Sequence, residues 1–204
     1  TISIMGKLFT DPSAARKIVG SVDKFQTKIW EVARIARSSG VKANVYRHLP
    51  EDVIYKWWDY SNRELYIRHG NSPEFGKGRM KNSEPLVNVL VTKADEVLAS
   101  GHYAADLIFG HDCPLISLAG YFHLSGVGES VSFDEIPMKW NDPMNIPFAA
   151  NFQMIFYKSR RSPDVLVKFV YGDVERTIAE LDAVSGVYYK WEDVKKFIDK
   201  RKAE

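Results

Sequence analysis

The chain has 204 residues, 28 Lys and Arg against 26 Asp and Glu, a formal net charge of +2, and 45% hydrophobic residues. That balance excludes a disordered chain and allows a sizeable core, and so small a positive excess gives no argument for a nucleic-acid partner. One cysteine excludes an internal disulfide without fixing a redox compartment.

No run approaches the ~20 apolar residues of a membrane helix, and the amino-terminal stretch lacks a secretory pattern. The first residue is Thr1 rather than methionine, from which we expect a processed or partial chain. Asp11-Pro12 reads as a capped helix start. Ile18, Val22, Phe25, Ile29, Val32 and Ala36 then recur at three- and four-residue spacing up to Gly40, with Gly20 able to divide the segment. Pro50 opens a short helix whose buried face is Val53, Ile54, Trp57 and Trp58. With Tyr60 and Tyr66 these rings could form a stacking surface, but no cations alternate with them, so packing between helices is the reading. Asn71 to Asn82, rich in Gly, Pro, Asn and Ser, predicts a loop carrying Lys77, Arg79 and Lys81. Ser83 caps the next helix, with Leu86, Val87, Leu90, Ala94, Val97 and Leu98 as its apolar stripe and Gly101 as its stop.

Tyr103 to Leu124 reads as strand, turn and helix. The apolar-leaning run Tyr103 to Phe109 ends at Gly110-His111-Asp112-Cys113, and the helical pattern begins at Pro114. Such a turn aims backbone N–H groups and a positive partial charge at one point, which suits an anion. His111 and Asp112 stand there. The plainer alternative makes Asp112 or Cys113 a helix cap and His111 a turn residue. Ser125 to Ile146 predicts an irregular connection. Phe148 to Tyr157 predicts a strand, apolar on both faces and therefore central, and a turn at Ser159 to Asp164 leads into a second strand, Val165 to Tyr171. Val174 to Ile178 can add a third. Trp191 to Lys202 closes the chain as a helix with Trp191, Val194 and Ile198 inward.

The histidines and the cysteine offer no metal-ligand spacing, and neither a phosphate-binding Gly-Lys-Ser/Thr loop nor a Gly-X-Ser-X-Gly elbow occurs. His111-Asp112 therefore remains the sharpest candidate. The run Ala105-Asp106-Leu107-Ile108-Phe109-Gly110-His111-Asp112-Cys113-Pro114-Leu115 resembles the carboxyl-half signature of the histidine acid phosphatases, in the branch of multiple inositol polyphosphate phosphatases and bacterial phytases. Leu65 to Pro73, Pro147 to Tyr157, and Val165-Leu166-Val167-Lys168 with Tyr188-Tyr189-Lys190-Trp191 fit the same branch in the same order.

The resemblance implies an α/β fold: residues 1–101 part of a mostly helical cap, residues 102–204 the carboxyl-terminal part of the catalytic core. It implies hydrolysis of phosphomonoesters, inositol polyphosphates above all, through a phosphohistidine. His111 would bind the transferred phosphoryl group and Asp112 would protonate the leaving alcohol. A helix amino terminus favours the Asp112 anion while a bound phosphate dianion favours its protonated form. Lys77, Arg79 and Lys81 would be weaker contacts to substrate phosphates, and neither metal nor cofactor is implied. Relatives are commonly periplasmic or extracellular.

The family's nucleophile lies in an Arg-His-Gly-X-Arg-X-Pro motif upstream of the matched segments. Arg68-His69-Gly70 spells its first three residues, but Ser72 and Glu74 stand where the second Arg and the Pro belong, and too short an apolar run precedes it for a central strand. We therefore read His69 as a packing or loop-edge residue and expect an absent amino-terminal half to supply the nucleophile. The alternative is a non-catalytic phosphoanion-binding or partner-docking module that retains the fold.

Overall fold

The computed structural model describes residues 5–36, 39–42, 44–102 and 105–203, without the side chains of Asp23, His48 and Lys77. The chain divides into two compact units, 1–61 and 62–204. The first contains α1 (Met5–Leu8), α2 (Pro12–Val19), α3 (Val22–Ala36), a 3-10 turn at Val45–His48 and the start of α4 (Glu51–His69). The Asp11 carboxylate accepts from Ser13 N and Ala14 N, both at 3.0 Å. That satisfies two donors the helix leaves unpaired, with Pro12 at its first position. The periodic segment divides where Gly20 takes φ +70°. Ala33, Leu49 and Val53 form the unit's core, with Ile29 and Trp57 against it. Trp57 lies 5.8 Å from Trp30, which meets Tyr46 edge-on, so the Trp57 ring packs between helices as its sequence context predicts.

The second unit holds the rest of α4, then α5 (Gly76–Lys81), α6 (Glu84–Ser100), α7 (Asp112–Tyr121), α8 (Ile136–Lys139), α9 (Asp142–Asn145), β1 (Phe152–Ser159), β2 (Ser162–Tyr171), β3 (Val174–Arg176), β4 (Tyr189–Lys190) and α10 (Trp191–Ala203). The β1–β2 hairpin pairs Phe152 with Tyr171 through to Tyr157 with Leu166. Along the other side of β2 run β3, from Phe169 opposite Arg176, and β4, with Leu166 opposite Lys190. All these pairings are antiparallel, and β2 is the central strand. β1, expected at the centre, has only β2 beside it among the described residues; an apolar run fits a two-sided environment, but the hairpin fills one side alone. Its core is Val167, Phe169 and Tyr171 of β2 against Leu118, Tyr121 and Phe122 at the end of α7, and Val194, Phe197 and Ile198 of α10. Phe122 is fully buried and lies 5.3 Å from Phe169 and 5.6 Å from Phe152. Trp191 Nε1 donates to Asp95 at 2.6 Å, fastening α10 to α6.

The connection 125–146, expected to be irregular, carries a 3-10 turn at Phe133–Glu135 and the short helices α8 and α9, and polar side chains from the preceding elements fix it. Tyr66 Oη donates to Glu129 O at 2.8 Å and accepts from Val131 N at 2.9 Å; burial pushes its phenol up to about 12. Asn62, wholly buried, donates to Trp140 O at 3.0 Å and accepts from Asp142 N at 2.8 Å. Glu74 accepts from Ser72 Oγ at 2.6 Å and from Phe133 N at 3.4 Å. The predicted loop 71–82 contains the short helix α5, whose Met80 is buried. Tertiary packing of that one side chain overrides the helix-breaking composition around it. Among the described residues no helix is long and apolar enough to cross a membrane.

Two outcomes follow from these joints. Asn62→Ala leaves Trp140 O and Asp142 N without their partner, at about 1–3 kcal/mol for each buried group left unpaired, measurable by urea unfolding. The Ser72 hydroxyl, with the Phe133 amide, holds the Glu74 carboxyl below its ordinary value. Its contribution is therefore present above the unfolded pKa of about 4.3 and is lost as pH falls through the lower folded pKa. Thermal melts should show wild type above Glu74→Gln at about pH 6, with the gap closing below about pH 4; a constant gap would refute this role.

Candidate active site at the start of helix α7

Helix α7 has unequal ends. Ile116, Leu118, Ala119 and Tyr121 are buried, whereas His111 and Asp112 are exposed. His111 is the capping position, extended at φ −106° and ψ 170°, and its side chain makes no capping bond. Asp112, the first helical residue, accepts the Cys113 amide at 2.8 Å. Pro114 has no amide proton, so the first turn exposes fewer donors than an ordinary one. The expected helix start at Pro114 thus falls two residues earlier. The imidazole is left available and the carboxylate sits at the positive end of the helix. Burial, reinforced by Asp112, pushes the Cys113 thiol up, which keeps it protonated and poorly nucleophilic.

The carboxyl end of α4 is tied to α7. Ser117 Oγ donates to His69 O at 3.0 Å, and Arg79 Nη1 donates to Ile67 O, so two terminal carbonyls of α4 are capped by side chains. Asn71 then closes the joint. Its Nδ2 donates to Gly128 O at 3.3 Å and to His123 Nε2 at 2.7 Å. Because the amide nitrogen only donates, Nε2 is the acceptor, and Nδ1 faces Glu180 Oε1 at 2.6 Å. His123 occupies the left-handed region at φ 44°.

This geometry sorts the sequence candidates. His69 stands at the end of a helix, and its neighbour Gly70 is needed for packing: a Cβ there would lie 2.5 Å from the Tyr66 ring. The His69 imidazole is held below its ordinary pKa by burial, then by Arg68 and Arg79, with Asp112 pulling the other way. Asp112 and Arg79 thus act on the same ring. Lys81 is exposed, no bond joins it to Asp112 among the described residues, and the side chain of Lys77 lies outside them. The Asn71–His123–Glu180 chain had no signal in the sequence, since its members are 52 and 57 positions apart.

The segment before the site departs from expectation. Tyr103 and Ala104 lie outside the described residues, and 105–110 forms no strand. It carries no regular structure, with Leu107 75%, Ile108 51% and Phe109 91% exposed. A strand exists only through a ladder to a neighbour, and no described segment pairs with this one.

No family profile and no curated protein matches the chain. Solved structures do. The multiple inositol polyphosphate phosphatase of Bifidobacterium longum, in complex with inositol hexasulfate, superposes with a TM-score of 0.65 at 17% identity over 76% of this chain and 34% of that one. Its phosphate complex gives 0.63 at 16% identity over 76% and 34%, and its apo form 0.62 at 16% over 74% and 33%. The chain spans about a third of the length of these proteins. It therefore has an α/β fold shared with part of a histidine phosphatase of the branch its motifs resemble.

Proposed function

We propose that this chain is the carboxyl-terminal portion of a histidine acid phosphatase acting on inositol polyphosphates, with the nucleophilic histidine on a complementary amino-terminal portion. The observation that carries this reading is the exposed run Leu107, Ile108 and Phe109 leading directly into His111 and Asp112. Three consecutive apolar residues point to both faces of an extended chain, as in a strand buried on both sides of a parallel sheet. Burying each would contribute about 1.5–3 kcal/mol. A complementary portion that pairs with this segment would bring the nucleophile to the site and cover the apolar side chains in one step. Residues 1–101 then serve as the cap portion and 102–204 as the core portion.

His111 holds the phosphoryl oxygens. The complementary histidine attacks phosphorus and the ester P–O bond breaks. The leaving alkoxide takes the Asp112 proton, and water then cleaves the phosphohistidine while Asp112 accepts a proton. Arg79, with Lys77 and Lys81, supplies charge to phosphates that do not react. A periplasmic or extracellular location accompanies this reading. The second reading, a phosphoanion-binding module, is favoured by one fact: His69 ends a helix instead of following a strand, so the described residues offer no nucleophile placed as the family's motif requires.

The test is phosphate release from inositol hexakisphosphate and an aryl phosphate, by this chain and by the full-length product of its reading frame. The chain alone should release none, and the full-length product should turn over both. Asp112→Asn should lower kcat on inositol hexakisphosphate by about 10²–10⁴ and much less on the aryl ester, whose leaving group needs little protonation. Unchanged kcat in Asp112→Asn would remove the acid role, and binding without turnover in the full-length product would favour the module. Hydrogen exchange supplies an independent check: amides 105–110 should exchange freely in this chain and be protected in the full-length product.

A further inference from the structure

We propose that His69, together with Arg79, forms a second phosphate subsite beside His111 and Asp112, taking a phosphate of the inositol polyphosphate that does not react. This rests on the phosphatase reading and names what makes the site prefer a polyphosphorylated ring.

The placement is geometric. Ser117 Oγ holds the His69 carbonyl at 3.0 Å, and Ser117 follows Asp112 by five residues, about 7.5 Å along the helix axis. The last residue of α4 is thus fixed within one and a half turns of the catalytic candidates. Arg79 is anchored to the same helix end through Ile67 O and lies 5.9 Å from the centre of the Phe75 ring; only its Nη1 is engaged by a hydrogen bond among the described residues, which leaves donors of a planar fork suited to phosphate. The His69 ring nitrogens make no hydrogen bond among the described residues. Anions are ordinarily disfavoured at a helix carboxyl end, but here Ser117 and Arg79 cap the carbonyls of His69 and Ile67.

Charge supports the assignment. The groups acting on His69 are Arg68 of its own helix, Arg79 of α5 and Asp112 of α7. Arg68 is paired with Glu64 at 2.6 Å, whereas Arg79 has no carboxylate partner among the described residues. Burial and the two arginines hold the His69 imidazole below its ordinary pKa. An arriving phosphate supplies the opposite charge, and the ring takes up a proton as it binds.

The experiment is steady-state kinetics of the full-length product on inositol hexakisphosphate and on an aryl monophosphate, between about pH 5 and pH 7.5. His69→Ala should raise KM for inositol hexakisphosphate about tenfold with kcat within about twofold, and leave both constants for the aryl phosphate unchanged. In wild type, KM for inositol hexakisphosphate should climb with pH. His69→Arg should restore the low KM and abolish that climb, a rescue that loss of packing alone would not give. Equal effects on the two substrates, or none, would overturn the subsite while leaving the phosphatase reading intact. If wild type hydrolyses neither substrate, the phosphatase reading falls, and calorimetric titration with unhydrolysed inositol hexakisphosphate against inorganic phosphate decides. A tenfold selective loss in His69→Ala sustains the subsite, and unchanged affinity ends it.

Discussion

Helix α7 can hold two exposed polar residues at one end because its other end is crossed at close range. At Gly120 a Cβ would stand 2.7 Å from Met80 Sδ and 3.2 Å from Asn71 Cβ, so the turn after α4 and the helix α5 both seat against α7 only where a side chain is missing. The neighbouring Phe122 then buries its ring among Phe152, Phe169 and Phe197. An interior packed this densely resists small displacements. The amino end of α7 inherits that rigidity over its ten residues, and a site borne on a packed helix keeps its geometry better than one on a loop.

The polar joints extend the same constraint. Asn71 reaches His123 and Gly128, His123 reaches Glu180, and Arg201 of α10 stands 3.6 Å from the same carboxylate. The turn after α4, the end of α7, the segment after β3 and the last helix are joined through one imidazole. Its left-handed φ of 44° is an uncommon conformation for a residue other than glycine and is held by its surroundings. Such a network specifies one arrangement of elements that hydrophobic contact alone would leave degenerate.

What the sequence disclosed was local. Asp11 before Pro12, Gly101 in the left-handed conformation after α6, and the β-branched and aromatic run 165–171 each carry their cause within a few residues; the first two are where their patterns placed them, and the run lies in β2, which begins three residues earlier than expected, at Ser162. The elements that escaped depend on distant partners. Helix α5 lies in a Gly- and Asn-rich stretch and is held by Met80 against α7. β4 is two residues long and exists by pairing with Leu166 and Val167. The site divides the same way. The proposed roles of His111 and Asp112 come from a contiguous motif, whereas the tie of His69 to α7 depends on a contact between residues 69 and 117 that no local pattern encodes.

The run 105–110 marks the same boundary from the other side. Its sequence reads as a strand because Leu107, Ile108 and Phe109 suit a two-sided apolar environment, yet the described chain provides neither a ladder nor a cover for them. Strand character is a property of a pair, so the pattern describes an environment that a neighbour has to complete. On the proposed reading, completion and catalysis are one event. The segment that would hydrogen-bond to 105–110 also carries the attacking histidine, so His111 and Asp112 gain their partner only when the apolar run is buried. Exclusion of water at that moment strengthens every charge interaction in the site. The separate portion, with its imidazole and carboxylate in solvent, then has the residues of the reaction without the low-dielectric setting that makes them effective.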